Sequence, residues 1–321
     1  MGVRVAFIGC GGIARNHMRQ LSAIDGAELV AFCDAVEGKA EEVAAQYGGR
    51  AYTDHRKMLD GEKIDALYVC LPPYAHADQE ILAAERGIAL FVEKPVARTA
   101  EKADEISEAI SRGGVISSVG YQWRYTEASE MMKAVLGGRK VAFVEGAWIG
   151  GMPGVSWWRV MAESGGQAVE QTTHIFDLAR YVVGEVTEVQ AFERTGLMTD
   201  VEGYDVHDAT VANLRFKNGA IGTIISSCVV SRGGRVGLAV FCRGLTAENF
   251  GGKLTVHTDE KTEIFYNRRD PYMEEDRIFI EAVETRDGSR ILSSYADAVK
   301  TLKVTLAVNE SIAKGGMPIK L

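Results

Sequence analysis

No apolar run in the chain approaches the length of a membrane span, no charged-then-apolar leader opens it, and positive charge is not in excess. A spanning helix needs about 20 apolar residues, so no membrane partner is expected. With the start taken up by other features, a secretory signal is not expected either, which leaves a cytoplasmic protein as the expectation. The formal net charge of −8 offers none of the cationic footprint that binds a nucleic-acid backbone, so nucleic acid is not expected as a partner. Cys10, Cys33, Cys70, Cys228 and Cys242 are odd in number and form no CxxC pair. Three of them fall in or beside predicted strands, which favours reduced packing residues over disulfides or zinc ligands. Internal repeats, low-complexity tracts and long Pro/Ser linkers are missing too. At 321 residues, 46% hydrophobic and 25% charged, the chain reads as a globular protein of two closely joined domains.

What is present begins with Val5-Ala6-Phe7-Ile8, an apolar run that breaks into Gly9-Cys10-Gly11-Gly12 and resumes with Ile13-Ala14. It reads as a strand turning through a phosphate loop into a helix. Gly9 would allow the tight turn, Gly11 the close approach of a pyrophosphate, and Ala14 the packing of helix on strand. Gly12 and Ile13 would add amides at the helix start, where the dipole favours anions. The next apolar run closes on Asp34, at the offset of roughly twenty residues where a carboxylate accepts from the adenosine ribose. A carboxylate there repels a 2′-phosphate, and no arginine stands beside Asp34 in sequence, so NAD is expected over NADP. The alternative is a solvated Asp that merely ends a strand.

Strand-like runs at 3–8, 28–34, 66–71, 89–93 and 115–120 alternate with helical stretches at 37–47, 75–86 and 99–112. That rhythm predicts a parallel sheet covered on both faces, with its active edge at the carboxyl ends of the strands. Past Gly120 the rhythm changes. A helix at 126–136 and strands at 141–148, 186–195, 206–216, 219–228, 235–243, 253–257 and 262–266 predict a largely antiparallel sheet, with a closing helix within 291–314. Asn218-Gly219 between apolar runs marks a hairpin. The expected division is 1–121 for nucleotide binding and 122–321 for an α+β substrate domain.

Two loops fall at the active edge. Glu93-Lys94-Pro95 ends one strand and would direct Lys94 over a nicotinamide site, although a strand-end lysine is often only solvated. Pro72 and His76 would wall the same end of the cofactor, with His76 in the first turn of the following helix, orienting the loop or touching ribose. The richest stretch runs from Ser164 to Asp177. Read as one helix, Glu170, His174 and Asp177 share a face with Tyr181, while Ile175, Leu178, Ala179 and Val182 form an apolar stripe. A histidine near a carboxylate can take a proton from an alcohol near neutral pH, and a lysine can stabilise the oxygen's developing charge. An exposed Glu170/His174 pair is the bland alternative. A metal on Glu170, His174 and Asp177 is disfavoured, since no second histidine stands at ligand spacing. Arg124 and Arg159, the latter beside Trp157 and Trp158, are candidates to grip hydroxyl or carboxylate groups of a substrate, and Asp177 is a further candidate substrate contact.

With the glycine loop, Asp34, Glu93-Lys94-Pro95, Trp158-Arg159, Gly165-Gly166, His174, Asp177 and Asp208-Ala209-Thr210 in order, the chain resembles the glucose-fructose oxidoreductase/inositol dehydrogenase (Gfo/Idh/MocA) family. The resemblance implies a Rossmann domain followed by an α+β domain whose large open sheet mediates homodimer or homotetramer contacts. It implies oxidation or reduction of a secondary alcohol on a sugar, cyclitol or related polyol, with Lys94 matching the catalytic lysine and His174 the catalytic histidine. Where the family often has aspartate four residues before that histidine, this chain has Glu170. A redox-neutral glycoside lyase using the same cofactor, and a non-catalytic NAD-binding regulator, are the competing readings.

Overall fold

In the computed structural model, which describes residues 2–321, the first apolar run becomes β1 (Val3–Ile8), followed by α1 (Gly12–Leu21). β2 (Ala27–Cys33), α2 (Lys39–Tyr47), β3 (Arg50–Tyr52), α3 (His55–Gly61) and β4 (Ala66–Val69) come next. α4 (Gln79–Glu85), β5 (Ala89–Val92), α5 (Ala100–Gly113) and β6 (Ser117–Val119) complete the alternation. The strands pair in parallel in the order β3-β2-β1-β4-β5-β6, the doubly wound order of a Rossmann domain. β4 and β5 are buried along their whole length, as a sheet covered on both faces demands. The sequence does not predict β3 and α3, which are too short to show a period.

α6 (Glu127–Leu136), capped by Thr126, leads into β7 (Val141–Ile149), α7 (Met161–Ser164), α8 (Gln167–Glu170) and α9 (Thr173–Val183). β8 (Val186–Arg194), β9 (Ala209–Phe216), β10 (Ile221–Ser227), β11 (Arg235–Cys242), β12 (Leu245–Phe250), β13 (Lys253–Thr258) and β14 (Thr262–Tyr266) follow. The Asn218-Gly219 turn joins β9 to β10 as an antiparallel hairpin with Arg215 opposite Ile221, and Gly219 takes a positive φ of 91°. The sheet runs β14-β13-β12-β11-β7-β10-β9-β8 and pairs antiparallel except where β10 meets β7. Along β9, burial alternates residue by residue, so one face of the sheet packs inward. The other presents Phe143, Phe192, Val211 and Ile221 as exposed apolar side chains.

α10 (Pro271–Thr285) starts where Asp270 accepts the N–H of Tyr272 and Pro271 presets the first turn. The expected two-block division does not foresee its destination. Residues up to Tyr125 form one compact unit together with Asp270–Val299, and Thr126–Arg269 with Lys300–Leu321 form the other. Within the first unit Phe279 sets its ring edge-on to Tyr68 and Phe91 at 5.5 Å. Tyr68 is in turn stacked on Phe7 at 4.9 Å and Phe91 at 4.6 Å. Burial of an aromatic side chain of this kind contributes about 1.5–3 kcal/mol, which is reason enough for α10 to dock there. α11 (Tyr295–Ala313) passes from the first unit to the second at Val299 and Lys300, and β15 (Ile319–Lys320) pairs with β8.

Candidate active site

In the first unit the glycine loop lies at the carboxyl edge of β1. Gly9 has φ 89°, and a Cβ there would stand 2.3 Å from the Cys70 carbonyl oxygen, so both conformation and space require glycine. Gly11 is the residue before α1, and none of the described residues lies within 4 Å of where a Cβ on Gly11 or Gly12 would point. The start of α1 thus presents open backbone, with Ile13 half-buried behind it and Ala14 fully packed. An open, glycine-lined helix start fits a dinucleotide's phosphates.

Asp34 follows β2 and is bonded on both oxygens: Oδ2 accepts the N–H of Cys10 at 2.9 Å and Oδ1 that of Val36 at 2.9 Å. The carboxylate therefore ties the end of β2 to the glycine loop. Arg15, not foreseen as a neighbour, donates its Nε to the Cys10 carbonyl at 3.2 Å, while its other nitrogens form a fork with Glu42 at 3.0 and 2.7 Å. Burial pushes the Cys10 and Cys33 thiols up to about 12, so they stay protonated packing groups.

Pro72 opens a short turn, Pro73–Ala75, whose last N–H, that of Ala75, reaches back to the Pro72 carbonyl at 2.9 Å. His76 closes that turn in an extended conformation, so it precedes α4 rather than sitting in its first turn as expected. Its Nδ1 is bonded to Glu80, and both side chains are buried. Glu93 and Lys94 follow β5. Glu93 is buried, and its Oε2 accepts the Lys94 N–H at 3.1 Å. Arg124 is 4% exposed, with Nη1 donating to the Leu292 carbonyl and Nη2 paired with Asp297 at 2.7 Å. Its fork is engaged inside the first unit.

The second unit carries the histidine. The single helix expected over this stretch is two: α8 ends at Glu170, and α9 begins at Thr173. At the break the Thr172 N–H reaches back to the Gln167 carbonyl at 2.8 Å, one residue beyond helical register. Glu170, His174 and Asp177 therefore do not share one continuous helical face. Gly165 and Gly166, with φ of 78° and 82°, turn the chain into α8. Glu170 and His174 are 3% and 5% exposed, and the His174 ring stacks on Trp148 of β7 at 5.8 Å. α9 can lie this close to β7 because Gly146 has no Cβ, which would meet Ile175 at 2.7 Å. Asp177 is fully buried and accepts the hydroxyl of Thr301 at 2.8 Å, while Arg180 donates to the same hydroxyl. Arg159 is half-buried and donates to the Pro153 carbonyl at 3.2 and 3.0 Å.

His17, not foreseen from the sequence, lies buried on α1 between two carboxylates. An ionisable residue beside Met18 on the inward face of an amphipathic helix was the available signal.

Residues 3–121 match the family described as "Oxidoreductase family, NAD-binding Rossmann fold", and residues 125–248 match the "GFO/IDH/MocA C-terminal domain". The chain is 29% identical to scyllo-inositol 2-dehydrogenase (NAD(+)) of Bacillus subtilis, covering 99% of this chain and 96% of that protein. It is 30% identical to myo-inositol 2-dehydrogenase of Thermotoga maritima, over 97% and 96%. A levoglucosan dehydrogenase solved in complex with NADH has the same fold, with a TM-score of 0.88 at 21% identity over 100% and 99% of the two chains. With both halves matched in order, the chain belongs to the Gfo/Idh/MocA family of NAD-binding oxidoreductases.

Proposed function

We propose that the protein oxidises a secondary ring alcohol of a cyclitol or related sugar, with NAD as cofactor. The observation that carries this reading is the likeness, over nearly the whole chain, to two inositol dehydrogenases. The open backbone at Gly11 and Gly12 supports the cofactor half.

Gly9, Gly11, Gly12 and Ile13 would hold the pyrophosphate and Asp34 the adenosine ribose, with Pro72, His76, Glu93 and Lys94 toward the nicotinamide end. NAD, when bound, supplies the hydride acceptor. His174 takes the hydroxyl proton, and Trp148 behind its ring keeps the imidazole in one plane. Lys94, as a cation, lowers the alcohol's pKa and stabilises charge on its oxygen. Glu170, one helix earlier, is the carboxylate assigned to support His174. Arg159 grips a substrate hydroxyl or carboxylate. Arg124 and Asp177 are assigned to the scaffold, because Leu292, Asp297 and Thr301 already engage them. The nucleotide half ends near residue 121. The exposed Phe143, Phe192, Val211 and Ile221 support a homodimer or homotetramer joined through the open sheet, and the thiol chemistry of the cysteines suits the cytoplasm.

The test is NADH formation by purified protein with NAD, and NADP in parallel, over a panel of myo-inositol, scyllo-inositol, D-glucose, sugar acids and methyl glucosides. A clear rate with NAD on a cyclitol or sugar is expected. Release of an aglycone without NADH would move the reading to the redox-neutral lyase.

A further inference from the structure

His17, Tyr68, Glu275 and Asp276, four ionisable side chains not used in the chemistry above, meet in the interior of the first unit beside Glu93. His17 of α1 is fully buried, with Nδ1 2.8 Å from Asp276 Oδ1 and Nε2 2.9 Å from Glu93 Oε1. Both ring nitrogens face carboxylate oxygens, an arrangement that favours the doubly protonated imidazolium. Tyr68 of β4 donates to Asp276 at 3.1 Å. Phe91, Tyr68 and Tyr272 surround the cationic ring at centroid distances of 5.0, 5.4 and 6.1 Å. Glu275, next to Asp276 on α10, is completely buried, and neither carboxyl oxygen has a hydrogen-bond partner among the described residues.

Glu93 connects this cluster to the site. One of its oxygens receives His17 and the other the backbone N–H of Lys94 at 3.1 Å. Gly120 makes room for the carboxylate: a Cβ there would stand 2.4 Å from Glu93 Oε1. The chain of contacts runs Asp276, His17, Glu93, Lys94, and every link is a hydrogen bond to a charged group, the strong kind.

We propose that His17 and Asp276 are positioning residues for Lys94, acting through Glu93 to fix the direction in which the strand-end segment Glu93-Lys94 leaves the sheet. The proposal rests on the role assigned to Lys94 above. Burial alone would lower the pKa of His17, yet the charges and hydrogen bonds of Asp276 and Glu93 overcome it and hold the imidazole well above its ordinary value. Burial also raises the other groups facing the ring, Glu275, Asp276, Tyr68, Tyr272 and Cys70, with Asp276, Glu93 and Asp270 adding to the rise at Glu275. The side-chain atoms of His17, Glu93 and Glu275 also lie within 4.8 Å of one another, near enough to enclose a divalent ion. The 2.9 Å between His17 and Glu93 favours a proton instead, because two ligands on one tetrahedral zinc stand about 3.3 Å apart.

The test uses Asp276→Asn, Gly120→Ala and Lys94→Ala, each checked for an intact unfolding transition and NAD binding, with the best substrate of the panel above. At about pH 8 Asp276→Asn is expected to lose roughly tenfold or more in kcat while the KM for NAD stays within about threefold, as misplacement of a catalytic group does. Its rate relative to wild type should recover toward about pH 6, where His17 regains its second proton without Asp276, a recovery that a merely structural lesion does not show. Gly120→Ala, which displaces Glu93 without touching a charge, should lose kcat with no such recovery. Imidazole 15N shifts of His17 should report a doubly protonated ring across this range in wild type and a titrating ring in Asp276→Asn. Wild-type kcat in folded Asp276→Asn, alongside an inactive Lys94→Ala, overturns the proposal and leaves the Lys94 reading intact. An active Lys94→Ala removes the reading beneath it. Stoichiometric zinc in the purified protein, lost in Glu275→Gln, also overturns it.

Discussion

Asp34 accepts the backbone N–H of Cys10 at 2.9 Å, so the carboxylate assigned to the adenosine ribose also pins the glycine loop to the end of β2. Replacement by serine removes both functions. Asp34→Ser should weaken NAD binding by about tenfold, in line with the roughly 1.5–3 kcal/mol of a hydrogen bond to a charged group. It should also narrow the preference for NAD over NADP, because the repulsion of a 2′-phosphate goes and Arg15 stands on the other side of Cys10. Titration of both cofactors by fluorescence checks this; an unchanged ratio would remove Asp34 from the ribose site.

Gly9 and Gly12 should separate stability from binding. Gly9→Ala forces a methyl to 2.3 Å from a carbonyl oxygen at a positive φ, which costs about 1–3 kcal/mol in strain alone and should lower the unfolding midpoint sharply. Gly12→Ala points its methyl into open space. It should change stability by no more than about 0.5 kcal/mol and still weaken NAD binding, where the phosphates need close approach.

Phe279→Ala should destabilise the first unit by about 3–5 kcal/mol, the usual result of emptying a buried aromatic site. The residue follows every strand of the second unit except β15 in sequence, yet its ring lies against Tyr68 and Phe91. Denaturant unfolding followed by probes in each unit reads the effect; a loss confined to the second unit would contradict the assignment of α10.

The pH dependence of stability follows from the buried cluster. Burial holds the carboxyl of Glu275 well above its ordinary value of 4.5, so the folded chain keeps a proton that the unfolded chain releases above that value. The contribution of Glu275 to stability therefore falls as pH rises beyond about 4.5. His17, also raised, acts in the same sense: its contribution is complete below the ordinary histidine value of 6.5 and is lost as pH climbs through the folded one. Glu275→Gln removes the first linkage, so its urea midpoint should decline less than that of wild type between about pH 5 and about pH 8. A wild-type profile with no alkaline decline would contradict this sign.

The nucleotide half was legible because its signals are local: near-continuous apolar strands, glycines at a fixed spacing and a carboxylate one strand later. The antiparallel sheet was legible from alternation and from Asn218-Gly219. α10 was not foreseen, although Asp270-Pro271 is a plain start signal, because its partners Tyr68 and Phe91 lie some two hundred residues earlier. The helix holding His174 read as continuous because the break at Gln171-Thr172 carries neither glycine nor proline, only a shifted hydrogen bond. Arg124 has the residue type that grips ligands, and only its contacts with Leu292 and Asp297 show that it is already engaged. His17 acquires its meaning from Asp276 and Glu93, neither of which is near it in sequence.

The most direct measurement is NADH formation from NAD by wild type and Lys94→Ala, side by side, on myo-inositol and scyllo-inositol, with NAD affinity measured for both proteins. Wild type should release NADH and the variant should fall by about 10²-fold or more, the scale of losing one charge-stabilising group, with cofactor affinity little changed. Normal turnover by a folded Lys94→Ala, or NAD binding without any turnover on cyclitols and sugars, would contradict this.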